Sequence, residues 1–381
     1  TEPRVQGQTK TDRLEHAEPI HVGELYCVRF VIGVFCWMPP IRTKLFTKPL
    51  TGMPHARILL TTVLSKRQLS DEWRLPVKRY VPLLLIVLSA AYAMADVGRL
   101  DNVTCSWLGN SFAGTGVNKW VQQDIEDCFV TAEGTVYSIV YWDEAGAEVT
   151  AYRDGDVIAS ARHTHGWGYH GGRAVAANDK YLYFGQFVEN EGGHLVDPVT
   201  WPPKGKHWYG IARRLRSDIT QAAAFAHGKG GKGDTLEGGF MVVHELSVET
   251  SDAHITGLWA TEKELFAACP YDNTIRVFDA RTMQRLRSWR LERPGSMFMD
   301  RHGALWVLQK AGERDAARIV RFRANGRRLP QEIVFDEAVI PTDLCIDADD
   351  RLFVSDSGRA QQILIYRDID STPRPAGTFG V

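Results

Sequence analysis

Three imidazoles stand within one short run, His163-Thr-His165-Gly-Trp167-Gly-Tyr-His170-Gly-Gly-Arg173. Side chains of this type converge on Zn²⁺ or Cu²⁺ when a loop folds back on itself. In strand geometry His163 and His165 share a face. The glycines demand tight turns, and a Gly/Trp loop that merely covers one face of a fold has the same composition, so both readings stand. His-Glu-x-x-His, which would name a zinc protease, is absent. Arg173 offers a bidentate fork for an anion, and Trp167 an apolar platform. Aromatics beside polar groups recur at Trp142-Asp143-Glu144 and at Trp201-Pro-Pro-Lys-Gly-Lys-His-Trp208. Such groups suit a sugar or peptide when exposed, and cover a core when they are not. The acidic run Asp347-Ala-Asp349-Asp350 lacks the glycine and distal glutamate of an EF-hand and reads as a hairpin turn. Gly228-Lys-Gly-Gly-Lys-Gly233 lacks the Lys-Ser/Thr ending of a phosphate loop and reads as a flexible insertion. No Gly-x-Ser-x-Gly elbow follows residue 96.

The frame that must hold these groups repeats. From about Asp124 a short apolar strand leads to a polar turn and then to a second strand with an aromatic near its middle. These anchors are Tyr137, Tyr183, Phe266, Trp306 and Phe353, spaced 46, 83, 40 and 47 residues apart. Further strands follow in each copy, such as Asn273-Thr-Ile-Arg-Val-Phe-Asp279 and Gln362-Ile-Leu-Ile-Tyr366. Period-2 alternation, β-branched and aromatic enrichment and Gly/Asp/Asn turns agree with one another. Several strands per unit at a period of about 40–50 predict an all-β propeller. The expected blades are about 121–165, 170–250, 251–292, 293–338 and 339–381, the second carrying a long insertion.

The fifth copy, Pro341-Thr-Asp-Leu-Cys-Ile-Asp-Ala-Asp-Asp-Arg-Leu-Phe-Val-Ser-Asp356 through Gln362-Ile-Leu-Ile-Tyr366, resembles the repeat of NHL and gluconolactonase-like propellers. Copies three and four match it more loosely, and the resemblance covers roughly 100–381. Trp107-Leu-Gly-Asn-Ser-Phe-Ala-Gly-Thr-Gly and His163-Thr-His-Gly-Trp-Gly look like an exported bacterial group of NHL type. The resemblance implies six blades where five repeats are counted. Either 97–121 helps to close the ring, or the chain is part of a longer protein. It also implies a Ca²⁺ or other divalent cation in the central channel, held by hard oxygens from different blades and polarising a lactone carbonyl while an aspartate acts as base. The positions offered are Glu126 or Asp127, Asn178, Asp272 and Asn273, and Asp343; copy four offers Ser296. His163, His165 and His170 form the alternative metal set.

Lys78-Arg79-Tyr80, the apolar run Val81–Ala91 and Ala93-Met94-Ala95 read together as a signal peptide over 78–95, cleaved before Asp96. Its apolar run is shorter than the roughly 20 residues that a spanning helix needs. Residues 1–77 scatter seven prolines among basic residues and read as a non-native or disordered leader, with Val77 as an alternative start. Residues 1–95 carry a balance of +6 and the remainder −7. A mildly acidic body with no Lys/Arg block excludes the nucleic-acid-binding class. Cys128 and Cys345 lie in apolar strand patterns and read as buried thiols, with the pairing of Cys105, Cys128, Cys269 and Cys345 open. The sequence thus predicts an exported propeller that binds a carbohydrate, peptide or protein without catalysis. The residues expected to meet the ligand are Trp142, His165, Trp167, Arg173 and Asp343. The alternative is a divalent-cation-dependent lactonase.

Overall fold

A computed structural model describes residues 120–122, 124–143, 146–161, 168–190, 201–230 and 236–380. The signal segment 78–95, His163, His165, Trp167 and Cys105 lie outside the described residues.

Five antiparallel sheets follow in chain order. Blade one comprises β1 Ile125–Val130, β2 Val136–Val140, β3 Val149–Arg153 and β4 Asp156–Ala161. Blade two comprises β5 Tyr169–His170, β6 Val175–Ala177, β7 Tyr181–Glu189, β8 His207–Leu215, β9 Asp218–Ala222 and β10 Phe240–Leu246. Blade three comprises β11 Gly257–Ala260, β12 Glu264–Cys269, β13 Thr274–Asp279 and β14 Arg285–Arg290. Blade four comprises β15 Pro294–Met299, β16 Ala304–Gln309, β17 Arg318–Arg323 and β18 Arg328–Val334. Blade five comprises β19 Pro341–Ile346, β20 Leu352–Asp356, β21 Ile363–Arg367 and β22 Arg374–Phe379. The innermost strands β1, β6, β11, β15 and β19 pack each against the next, which arranges the described residues as five blades of a propeller. A sixth sheet is not among the described residues. Helix is confined there to two single turns, Ser251–Ala253 and Pro270–Asp272, and no described helix is long and apolar enough to cross a membrane.

The strand alternation explains how the blades hold together. On β12, Leu265, Ala267 and Cys269 pack toward blade two, while Phe266 and Ala268 pack toward blade four. On β16, Leu305 and Val307 face blade three, while Trp306 and Leu308 face blade five. Second strands are therefore covered on both sides, and their sequences run apolar rather than alternating with polar residues. Buried cations add cross-blade ties. Arg213 donates to the carbonyls of Ala223, Ala224, Ala280 and Arg281 at 2.7–3.0 Å and stacks on Tyr181. Arg321 pairs with buried Asp300 at 2.6 Å and reaches Asp370 at the far end of blade five. Blades three and four approach so closely that a Cβ on Gly257 would lie 2.2 Å from the Gly295 carbonyl oxygen. Only glycine fits there.

One cysteine differs from expectation. Cys345 is disulfide-bonded, whereas Cys128 and Cys269 are not, the first half-buried and the second fully buried. An apolar inner strand has the same pattern whether its sulfur is capped or not, so alternation alone could not separate the two states.

Candidate functional site

All five inner strands face the central channel, and β1, β15 and β19 share a device at one level of it. Their ladders are interrupted by bulges between Ile125 and Asp127, Pro294 and Met297, and Pro341 and Asp343. A bulge re-aims a side chain, and the groups re-aimed here are Asp127, Ser296 and Asp343. The Asp127 carboxylate accepts the amide N–H of Cys128 at 2.7 Å and, across the blade boundary, that of Val175 at 2.8 Å. Asp343 accepts its neighbour's amide, Leu344, at 2.7 Å and the Ser296 hydroxyl of blade four. These carboxylates tie blade one to two and blade four to five.

One layer deeper the channel is apolar. Phe129, Trp259 and Phe298 stack across it, with ring centroids 5.7 and 4.3 Å apart. A cavity of about 290 Å³ runs past these rings, from Asp127, Ser296 and Asp343 to Asn178, Arg216, Glu133 and Glu262. On the near side a cavity of about 720 Å³ opens above the carboxylates. Glu126, Arg173, Thr256, Lys310 and Asp336 are in its wall, with Asp127, Ser296 and Asp343 at its base. Arg173 and Asp343 thus face one space. The Nε of Arg173 is buried and has no hydrogen-bond partner among the described residues.

Beside that mouth, blades one and two assemble an imidazole–aromatic cluster. Glu189 at the end of β7 receives His170 Nε2 at 2.9 Å and lies 3.5 Å from His207 Nδ1. Tyr141 stacks on His170, and Trp142 tilts against the same ring at 5.7 Å with almost half of its surface exposed. Phe187 packs on His170, His207 and His254. Burial pushes His254 down to about 3, helped by the charges of Arg173 and His170. Burial raises the Tyr141 hydroxyl to about 12, helped by Glu249 and other acidic neighbours.

The structure therefore brings Trp142, His170 and Arg173 together, and joins Arg173 to Glu126 and Asp343 through the mouth. Asn178 lines the 290 Å³ cavity together with Asp127, Ser296 and Asp343, whereas Asn273 does not. The Asn178 side chain closes the β6–β7 turn by accepting from Lys180 and Tyr181 and donating to the Thr261 carbonyl, at the other end of the channel. Asn273 caps the Pro270–Asp272 turn in the left-handed region, φ 57°, and accepts the Arg293 amide. Trp201 and Trp208 are buried, against Tyr169 and bonded to Glu245 respectively, and so cover the core. Asp347 accepts the amides of Asp349 and Arg351, which makes the acidic run a hairpin turn.

Sequence reading missed Glu189, His207, Tyr209 and His254. The first three share one face of β7 and β8, where Glu189 is opposite His207 and Phe187 opposite Tyr209. That signal needs the pairing register, which the long β7–β8 connection conceals.

No family model matches the chain, and no curated protein matches it. Among solved structures the chain is similar to streptogramin B lyase, at 12% identity and a TM-score of 0.39 over 68% of this chain and 83% of that one. It is also similar to a gluconolactonase from Xanthomonas campestris, at 15% identity and 0.38 over 62% and 70%. A chain of a nidogen/laminin complex is similar at 15% identity and 0.34 over 61% and 70%.

Proposed function

We propose that the protein is an exported, non-catalytic binding propeller of NHL type whose ligand seats at the channel mouth. The observation that carries this reading is the floor of that mouth. Its two carboxylates accept main-chain amides and, at Asp343, the Ser296 hydroxyl, and Phe129, Trp259 and Phe298 line the narrow cavity beneath them. A lactonase-type centre instead needs several oxygens turned into an open channel toward one cation. Above the floor, exposed Trp142, the His170–Glu189 pair and the unpartnered Arg173 Nε supply an apolar platform, hydrogen-bonding groups and a cation. That is the chemistry of a carbohydrate site with an acidic substituent.

The reading is tested by glycan-array binding, followed by calorimetry on the best acidic oligosaccharide. Trp142→Ala and Arg173→Ala should each weaken binding by tenfold or more, while Asn178→Ala, at the other end of the channel, leaves it unchanged. Equal binding by all three variants contradicts the assignment. Export requires cleavage of 78–95, and N-terminal sequencing of the secreted product should read from Asp96.

A further inference from the structure

A second constellation lies away from the channel, where the end of β10 meets blade three. His244 comes from blade two, Cys269 from the last position of β12, and Asp272 from the turn that follows. One ligand atom from each lies within 4.8 Å of the other two. The elements converge because β10 runs toward the face at which β12 ends, and the Pro270–Asp272 turn folds the carboxylate back beside Cys269.

The geometry suits each group to ligation, although burial pushes the Cys269 thiol up to about 12, which a metal–sulfur bond has to offset. His244 Nε2 is buried with no hydrogen-bond partner among the described residues, and the ring packs on Tyr271 at 5.1 Å. An imidazole nitrogen left bare in a dry site costs desolvation without return unless something binds it. Cys269 is a free thiol with no exposed surface, and its sulfur makes one long contact, 3.8 Å, to the Ala267 carbonyl. Asp272 is kept ionised mainly through its bonds to Thr274 and Arg276, which outweigh its partial burial. Thr274 donates to one oxygen at 2.6 Å and Arg276 to the other, which fixes the carboxylate and leaves each oxygen a lone pair. Asp272 is exposed, so the cluster opens to solvent on its side.

We propose that His244, Cys269 and Asp272 form a three-ligand site for a thiophilic divalent cation of the Zn²⁺ class, with a fourth position open to water, stapling blade two to blade three. One sulfur, one imidazole and one carboxylate suit Zn²⁺ and disfavour Ca²⁺ or Mg²⁺, which prefer all-oxygen shells. Binding replaces the Sγ–H proton, and one proton leaves to solvent for each cation bound. Tetrahedral bonds of about 2.0–2.3 Å require the three atoms to draw in modestly from their present spacing, a change within reach of side-chain rotation. The site is independent of the mouth.

The test uses the full chain, stripped with chelator and titrated with Co²⁺ and then Zn²⁺. The proposal expects one equivalent of Co²⁺ to give a thiolate-to-metal charge-transfer band that Zn²⁺ abolishes. Cys269→Ser should lose the band, and His244→Gln should weaken Co²⁺ binding at least tenfold, with unchanged far-UV circular dichroism showing that both fold. Cys128→Ser should keep both the band and the affinity. Absence of the band in the wild-type chain, its survival in Cys269→Ser, or wild-type affinity in His244→Gln overturns the proposal.

Discussion

His254 shows how a residue can matter without advertising itself. It is a single imidazole before Ile255, with no neighbouring histidine in sequence, yet it sits under Phe187, Tyr141 and Tyr209. Burial first, then Arg173 and His170, depress its folded pKa to about 3, against about 6.5 for a free imidazole. Between those values the unfolded chain binds a proton that the folded chain refuses. Stability from this group is complete above pH 6.5 and is lost as pH falls toward 3, at about 1.4 kcal/mol per unit. Urea unfolding at pH 7 and pH 5 should therefore show a smaller acid loss in His254→Gln than in wild type, by about 2 kcal/mol over those two units. An unchanged difference would mean that the ring is not buried neutral. At this scale the sequence was legible where residues cluster, as with His170 and Arg173 beside Trp142. It was silent where isolated residues converge through tertiary packing, as with Glu189 and His207.

At the scale of elements the repeat was readable because burial imposes it. Every anchor aromatic falls on the strand paired with the inner one, on β2, β7, β12, β16 or β20. There the apolar run marks a strand covered on both sides. What could not be read is where a ladder slips by one residue. The bulges before Asp127, Met297 and Asp343 turn the carboxylates and Ser296 into a belt, and nothing in Pro341-Thr-Asp-Leu or Ile125-Glu-Asp-Cys encodes the slip locally. The state of Cys345 was illegible for a different reason, since an apolar strand has the same pattern whether its sulfur is bonded or not. The close approach of β11 to β15 makes a sharp prediction. Gly257→Ala forces a methyl against the Gly295 carbonyl oxygen, and denaturant unfolding should register a loss of about 1–3 kcal/mol. Gly155→Ala has open space, but φ there is +82°, so its smaller loss, about 1 kcal/mol, would come from backbone strain alone.

The whole molecule is a set of sheets joined mainly by what lies between them, one apolar cluster for each adjacent pair. Polar ties then fix how the sheets sit. Arg213 satisfies four carbonyls of blades two and three from a fully buried position, and truncation strands those acceptors. Arg213→Met keeps the apolar stem and should cost about 3 kcal/mol or more in thermal or denaturant unfolding; a neutral outcome would show that the guanidinium does not bridge the blades. Function on this scaffold turns on the centre of the ring. Our proposal is that the mouth, with Phe129, Trp259 and Phe298 beneath two amide-bonded aspartates, binds rather than hydrolyses. The direct measurement is hydrolysis of glucono-δ-lactone by the purified protein, followed by pH-stat with Ca²⁺ or Mg²⁺ and again with chelator. The binding account predicts no rate above the protein-free control under any of these conditions. Cation-dependent turnover that disappears in Asp343→Asn would contradict it.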